Sequence, residues 1–213
     1  MPDNAKLTYT RRLPHIQSSV LPLFITWRLN FTLPKVITNE LMKMKQIHES
    51  NIQHMSPDLK KLRSYTYEKH SFEWFDAKLS QIMASPVSLT KLEVAHIITD
   101  SLNYYHSIRY DLIAYCIMPN HVHVIIQQMK QADDNPYPLS KITQSWKRHT
   151  STQIKKLLNI PDSIWQPESY DHVIRNESEL SHYLEYTMDN PVKAELVGKW
   201  QDWEFSWVNP VFL

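Results

Sequence analysis

RYDLIAYCIMPNHVHVIIQQ, residues 109–128, holds two β-rich runs separated by Met118-Pro119-Asn120. Apolar and β-branched residues on both sides of a proline-containing turn predict an antiparallel hairpin, and proline at the turn costs no ladder hydrogen bond. On the second strand His121 and His123 are two apart, so their side chains share one face, and Val122, Val124 and Ile126 take the other. Two imidazoles side by side can chelate one cation, or they can be a pair of surface histidines at a strand start. With 11 histidines among 213 residues, roughly 0.6 such pairs are expected by chance. The pair acquires meaning only from its position at the head of an apolar strand.

Outward from the hairpin, LPLFITWRLN (residues 21–30) is β-rich and predicts a first strand. A long polar stretch follows to about residue 85. It predicts two helices, from about Thr38 and from about Pro57, with Ser56-Pro57 as N-cap and first helical position. Leu92, Ala95, Ile98 or Thr99, Leu102 and Tyr105 recur at helical spacing, with a start at Ser88 or Thr90. LSKITQSWKRHTSTQIKKLL predicts a further helix, its neighbourhood ended by Pro161. In NESELSHYLEYTMDNPV, Asn176 and Glu179 have capping-box spacing, and the helix should close before Pro191. Strand, helices, hairpin, helix, helix is the pattern of an α+β fold, a central antiparallel sheet flanked by helices. One domain over 1–213 is expected, with a helical insertion at about 31–85.

Composition narrows the chemistry. Hydrophobic residues make up 42% and charged residues 21% of the chain, which suits a folded soluble protein. No run is long enough to span a membrane, and MPDNAKLTYTRRLPH lacks a signal-peptide core, so a cytoplasmic location is expected. The single cysteine, Cys116, leaves no disulfide framework. The single glycine, Gly198, leaves no phosphate-cradling loop, so no nucleotide cofactor is expected. A net charge of +1 gives no general case for nucleic acid. The stretch Leu139–Leu158 nevertheless carries Lys141, Lys147, Arg148, Lys155 and Lys156 with no acid, either a solvated helix face or a stripe for phosphates.

The last helix supplies the second feature. His182, Tyr186 and Asn190 recur every four residues on one face, while Leu180, Leu184, Thr187 and Met188 form a mostly apolar face for docking. A phenol is a poor nucleophile at its free pKa of about 10 and needs a metal or base nearby. Tyr186 is therefore either such a nucleophile or a half-buried packing residue with a wet hydroxyl.

Together, YDLIAYCIMPNHVHVIIQ and IWQPESYDHVIRNESELSHYLEYTMDNPVKAELV resemble the single-tyrosine transposases of the HUH class (His, hydrophobic, His), in particular the REP-associated tyrosine transposases. The resemblance runs from the strand near Phe24 to WQDWEFSW, is weakest from Phe31 to Lys69, and implies a ferredoxin-like, HUH-endonuclease sheet. It implies that Tyr186, four residues before the asparagine of Asn-Pro-Val, is the nucleophile, with Tyr183 the competing candidate. It implies a divalent cation, Mg²⁺ or Mn²⁺, held by His121, His123 and Asn190, although imidazole ligands in general favour transition metals such as zinc. The chain departs from the common NPVRAGLV in reading NPVKAELV, with Glu195 in place of glycine.

The implied activity is transposase chemistry. Tyr186 attacks a phosphodiester of single-stranded or hairpin DNA, leaving a 5′-phosphotyrosine and a free 3′ hydroxyl. The covalent link keeps the bond energy for rejoining, so no nucleotide is consumed. Lys141, Lys147 and Arg148, with Arg175 and Lys193 beside the tyrosine helix, are candidates for backbone phosphates, and Trp146 for stacking on a base. His172 is either a supporting group or a satisfied core histidine. The protein acts as a monomer or a homodimer. Two other functions fit part of the pattern: a metal-dependent hydrolase using His121, His123 and a histidine such as His172, and a relative that holds hairpin DNA without cutting it.

Overall fold

The computed structural model describes residues 8–10, 14–16, 21–82, 85 and 87–212. Most of the N-terminal run read for a signal peptide lies outside them. The chain forms two compact units, Phe31–Ala84 and the remainder, Met1–Asn30 with Ser85–Leu213. Among the described residues no helix is long and apolar enough to cross a membrane.

The smaller unit is a pair of packed helices, α1 (Lys35–Ile52) and α2 (Pro57–Ser80). Ser56 precedes Pro57 in extended conformation, but its side chain makes no capping bond. Instead proline at the first turn, where an amide hydrogen would be orphaned anyway, starts α2. The two helices are pinned by His48, whose ring stacks on Tyr67 at 4.2 Å and whose Nε2 lies 3.2 Å from Ser64 Oγ.

In the larger unit, two short strands, β1 (Thr8–Thr10) and β2 (Pro14–Ile16), pair with each other ahead of the strand expected to come first. That strand is β3 (Leu23–Arg28). Then follow α3 (Leu92–Asn103), β4 (Tyr110–Ile117), β5 (His121–Gln128), α4 (Leu139–Leu158), β6 (Tyr170–Val173), α5 (Glu177–Lys193) and β7 (Ser206–Val208). The sheet has the order β6-β3-β5-β4-β7 and every pairing is antiparallel. The fold is thus α+β with a central antiparallel sheet. Helix α3 starts at Leu92 rather than at Ser88 or Thr90, whose hydroxyls bond each other at 2.9 Å instead of capping it.

Directly paired residues of antiparallel strands put their side chains on the same face. One face therefore carries His121, His123 and Ile125 of β5, Phe24, Thr26 and Arg28 of β3, Cys116 of β4, and Tyr170 and His172 of β6. The opposite face carries Val122, Val124, Ile126, Ile25 and Trp27, all buried. Against this second face Trp146 of α4 stacks on Trp27 at 5.5 Å and meets Tyr110 edge-on at 5.2 Å. Helix α3 packs on α4. On the histidine face lies α5, through Tyr183 on Phe24 at 4.7 Å. The sheet is thus covered on both sides, which explains why β5 is buried along both faces.

Helix α5 departs from the expected end. It runs through Pro191 to Lys193 and stops in a left-handed turn. Glu195 has φ 58°, its amide bonds Val192 O at 2.9 Å, and the Leu196 amide bonds Pro191 O at 2.9 Å. This is a Schellman closure, in which glycine usually takes the left-handed position. With so little glycine in the chain, Ser107, Asp134, Asn159 and Glu195 supply the positive-φ residues. Glu195→Gly should therefore stabilise the fold by about 0.5–1 kcal/mol, because a side chain is strained there. Thermal melting should rise by roughly 1–4 °C, and an unchanged or lower Tm would contradict the account.

Candidate active site

The turn that delivers the histidines is held from two sides. Met118 donates to His121 O at 2.9 Å and closes the hairpin. Leu89 donates to Pro119 O and Leu29 to Asn120 O, each at 2.9 Å. The turn is thereby fixed to the segment before α3 and to the chain just past β3. Backbone groups that would be orphaned in a buried turn are satisfied, and the first residues of β5 are set rigidly.

Both histidines are fully buried, not surface residues. Their Nε2 atoms face each other at 3.0 Å. The remaining ring nitrogens are each occupied: His121 Nδ1 lies 2.6 Å from Asn120 Oδ1, and His123 Nδ1 lies 2.7 Å from Thr26 Oγ1. A ring nitrogen that hydrogen-bonds outward fixes which nitrogen is left as a ligand, and such partners typically orient metal-binding histidines. The spacing also fits. Two ligands on adjacent corners of an octahedron of ~2.1 Å bonds stand roughly 3.0 Å apart. Asn120 and Thr26 were not singled out in the sequence. Asn120 was visible within Met-Pro-Asn-His, whereas Thr26 becomes a partner only through the β3–β5 register.

Tyr186 reaches this pair from α5. Its ring meets His123 edge-on at 5.8 Å between centroids and Phe24 edge-on at 5.8 Å. Lys193 Nζ stands 5.1 Å from the centroid of the same ring. Tyr186 is half-buried, so solvent reaches it beside the histidines. Tyr183 differs: at 1% exposure it is core, packed between Phe24 and His172. The docking stripe of α5 consists of Tyr183, Thr187 and Met188, with Leu180 and Leu184 only half-covered. That corrects the apolar face expected from the sequence, since aromatic area on Phe24 outweighs the leucines. Asn190 is buried on α5, one turn after Tyr186. The start of α5 is capped as expected by Asn176 Oδ1, which accepts from the Glu179 amide at 2.9 Å. The return bond goes one residue upstream, from the Arg175 amide to Glu179 Oε2 at 2.8 Å.

Glu179 also faces His172 Nε2 at 3.6 Å. His172 is thus engaged with α5 and Tyr183 from the outer strand β6. Arg28 is the sheet partner of His121 on the same face, and its Nη1 donates to Leu29 O at 3.0 Å. Burial pulls the Arg28 guanidinium down to about 10, still charged at neutral pH, so the site carries a fixed positive charge suited to an anionic substrate.

The basic candidates on α4 divide. Lys141 and Arg148 are exposed. Lys147 is spent internally: its ammonium donates to Gln166 O, Pro167 O and Glu168 O at 3.0–3.1 Å, the full donor capacity of a lysine. Trp146 is 1% exposed and its Nε1 donates to Tyr110 Oη at 2.7 Å, so it cannot stack on a base. Both expectations fail for one reason, that residues 143, 146, 147 and 150 form the stripe by which α4 binds the rest of the unit. Arg175 is exposed, with Nη1 donating to Val173 O at 3.2 Å.

A family model described as chromatin associated protein KTI12 matches residues 33–183. That span starts past β3 and stops at Tyr183 in mid-α5, so it coincides with no folded unit and leaves out Tyr186 and Asn190. A protein of Haemophilus influenzae named as a candidate REP-associated tyrosine transposase is 30% identical over 103 residues, covering 46% of this chain and 58% of the relative. The REP-associated tyrosine transposase of Escherichia coli K12 is 30% identical over 97 residues, covering 46% of this chain and 53% of the relative. The match thus spans little more than half the length of these relatives. A solved structure of a REP-associated tyrosine transposase bound to a REP hairpin is 18% identical, with a TM-score of 0.48, covering 93% of this chain and 80% of the other. The sequence relatives bear the family name that the His-Val-His strand and the Tyr-x₃-Asn helix point to: over 46% of its length the chain is similar to REP-associated tyrosine transposases.

Proposed function

We propose that this protein cleaves and rejoins single-stranded DNA at hairpin or repeat sequences, with Tyr186 as nucleophile. The observation that carries the reading is the half-exposed Tyr186 ring standing edge-on to buried His123, whose Nε2 faces that of His121 at 3.0 Å. The names of the sequence relatives, which join tyrosine to transposase, support it.

In this reading the Tyr186 oxygen attacks phosphorus and the bond from phosphorus to the 3′ oxygen breaks. The product is a 5′-phosphotyrosine, the phenolic proton passes to solvent, and the departing 3′ oxygen takes up a proton. Attack by another 3′ hydroxyl reverses the step and joins strands. A divalent cation, Mg²⁺ or Mn²⁺, would be held by His121, His123 and Asn190, and when bound it draws charge from the scissile phosphate and stabilises the transition state. Asn120 and Thr26 hold the two imidazoles in place. Phe24 packs under both Tyr186 and His123 and keeps their rings in fixed relation. Arg28 adds positive charge on the same face.

The test is to incubate the protein with single-stranded DNA hairpins and Mn²⁺ and look for an SDS-resistant protein–DNA species that EDTA prevents. No such species with any repeat hairpin from the host genome would overturn the reading. A supporting prediction concerns Thr26→Val, which removes the oxygen at His123 Nδ1 and keeps the side-chain shape. Mn²⁺ affinity, followed by the EPR signal of free Mn²⁺, should fall about 10–100-fold. Unaltered affinity would show that Thr26 does not orient a ligand. His172, the histidine given as an example for the hydrolase alternative, faces Glu179 and Tyr183.

A further inference from the structure

A second feature lies on the other side of the sheet. Residues 164–166 continue the line of β6 past a break: Asn30 donates to Ile164 O at 2.7 Å, Gln166 donates to Arg28 O at 3.0 Å, and Leu29 bridges Trp165. Residues 167–169 leave the ladder. Lys147 staples this bulge to α4 through its three carbonyl bonds. Between α4 and the segment 163–169 runs a groove of about 550 Å³. Lys141 and Arg148 stand on its helix wall, with the short polar side chains of Ser140, Gln144 and Ser151 beside them. Its lining holds three cations, Lys141, Lys147 and Arg148, and one acid, Glu168.

The groove's lining reaches the residue that precedes β6. Ser169 lines the groove, and Tyr170, the next residue in the chain, opens β6 on the histidine face opposite Thr26. The Tyr170 ring meets Phe24 edge-on at 6.3 Å, and Phe24 in turn touches Tyr186. A chain lying in the groove needs only to turn round the β6 edge of the sheet to come before the tyrosine.

We propose that this groove holds the single-stranded DNA flanking the cleaved phosphate, with Lys141 and Arg148 on successive phosphates and the hydroxyl and amide side chains bonding phosphate and sugar oxygens. The proposal rests on the reading of Tyr186 as a DNA-cleaving nucleophile. It deepens that reading by assigning where the strand runs. Exposed lysine and arginine flanked by small donors, without an exposed aromatic platform on α4, suit grip on the backbone rather than reading of bases.

The experiment compares the full chain with Lys141→Ala/Arg148→Ala by fluorescence anisotropy over a salt series. The probes are an oligothymidylate and a blunt DNA hairpin with no single-stranded flank. Both side chains are exposed, and a thermal melt establishes that the double variant folds. Binding of oligothymidylate should weaken roughly tenfold, and its dependence of log K on log salt should become shallower by about 1.4, two phosphate contacts at ~0.7 each. Blunt-hairpin binding should stay within about twofold. An unchanged salt slope on oligothymidylate overturns the proposal, and so does an equal loss on the blunt hairpin, which would make the groove a duplex site. The covalent assay separates this from the parent reading. If wild type forms no SDS-resistant species but the variant still loses single-strand affinity, Tyr186 chemistry fails and the groove stands. If the species forms and the variant binds oligothymidylate like wild type, the groove fails alone.

Discussion

Tyr186→Phe abolishes the SDS-resistant protein–DNA species and lowers strand cleavage by about 10³-fold or more, while DNA affinity and Tm stay at the wild-type values: this is the expected result. The size follows from removing a nucleophile for which no other group at the site substitutes. Its selectivity follows from the packing. The ring contacts of Tyr186 with Phe24 and His123 are edge-on contacts of the ring, which phenylalanine keeps. Tyr183→Phe is the matched control. That residue is core, and its loss of a hydroxyl should leave the adduct intact. Gel electrophoresis of the covalent species for both variants, beside anisotropy with the same hairpin, reads the difference directly. If Tyr183→Phe loses the adduct and Tyr186→Phe retains it, the nucleophile is Tyr183 and α5 must move to expose it. If both retain it, the bond to DNA is made by another residue.

The hairpin was legible because both of its strands are long and apolar and its turn carries proline. The strands β6 and β7 were not, because four and three residues at the sheet edges are too short to show a period. Reading α5 by spacing puts Tyr186 and Asn190 one turn apart on a single helix, which α5 spans. The same spacing misjudged what docks the helix, because Tyr183 finds Phe24 only after β3 has paired with β5. His121 and His123 were placed on one face by the strand period alone, yet nothing in that period tells that the face is covered. Coverage comes from α5, about sixty residues later in the chain. Their hydrogen-bond partners show the same division: Asn120 is a neighbour in sequence, Thr26 a neighbour only in the sheet. Basic residues of α4 could be counted but not sorted, since the carbonyls that occupy Lys147 come from a bulge with no sequence signature.

Trp146 presents the sharpest contrast between the two ways of reading. Beside Lys147 and Arg148 it reads as a stacking platform for bases, whereas among the described residues it is the largest fully buried side chain. Trp146→Ala should therefore act on stability. Deleting a buried tryptophan costs about 3–5 kcal/mol, and here the loss includes the stack on Trp27 and the donor to Tyr110 Oη. Tyr110 Oη itself donates to Leu102 O at 2.6 Å, so the bond belongs to a chain linking α4, β4 and α3. Burial raises the Tyr110 phenol pKa and the Trp146 hydrogen bond opposes that rise, so the variant leaves a buried phenol with one partner fewer. At 2–4 °C per kcal/mol for a chain of this size, Tm should drop by roughly 6–20 °C. Trp146→Phe should fall between the two, keeping most of the apolar area without the donor. A stacking role predicts the reverse order of effects: little change in melting, and a loss of about 1–3 kcal/mol in single-strand affinity. Thermal melting and oligothymidylate binding of Trp146→Phe, measured at a temperature where the variant is folded, decide between them. A folded Trp146→Phe protein that binds oligothymidylate like wild type but melts lower confirms the tryptophan as core. One that melts like wild type and binds more weakly would mean that α4 turns this side chain outward when DNA arrives.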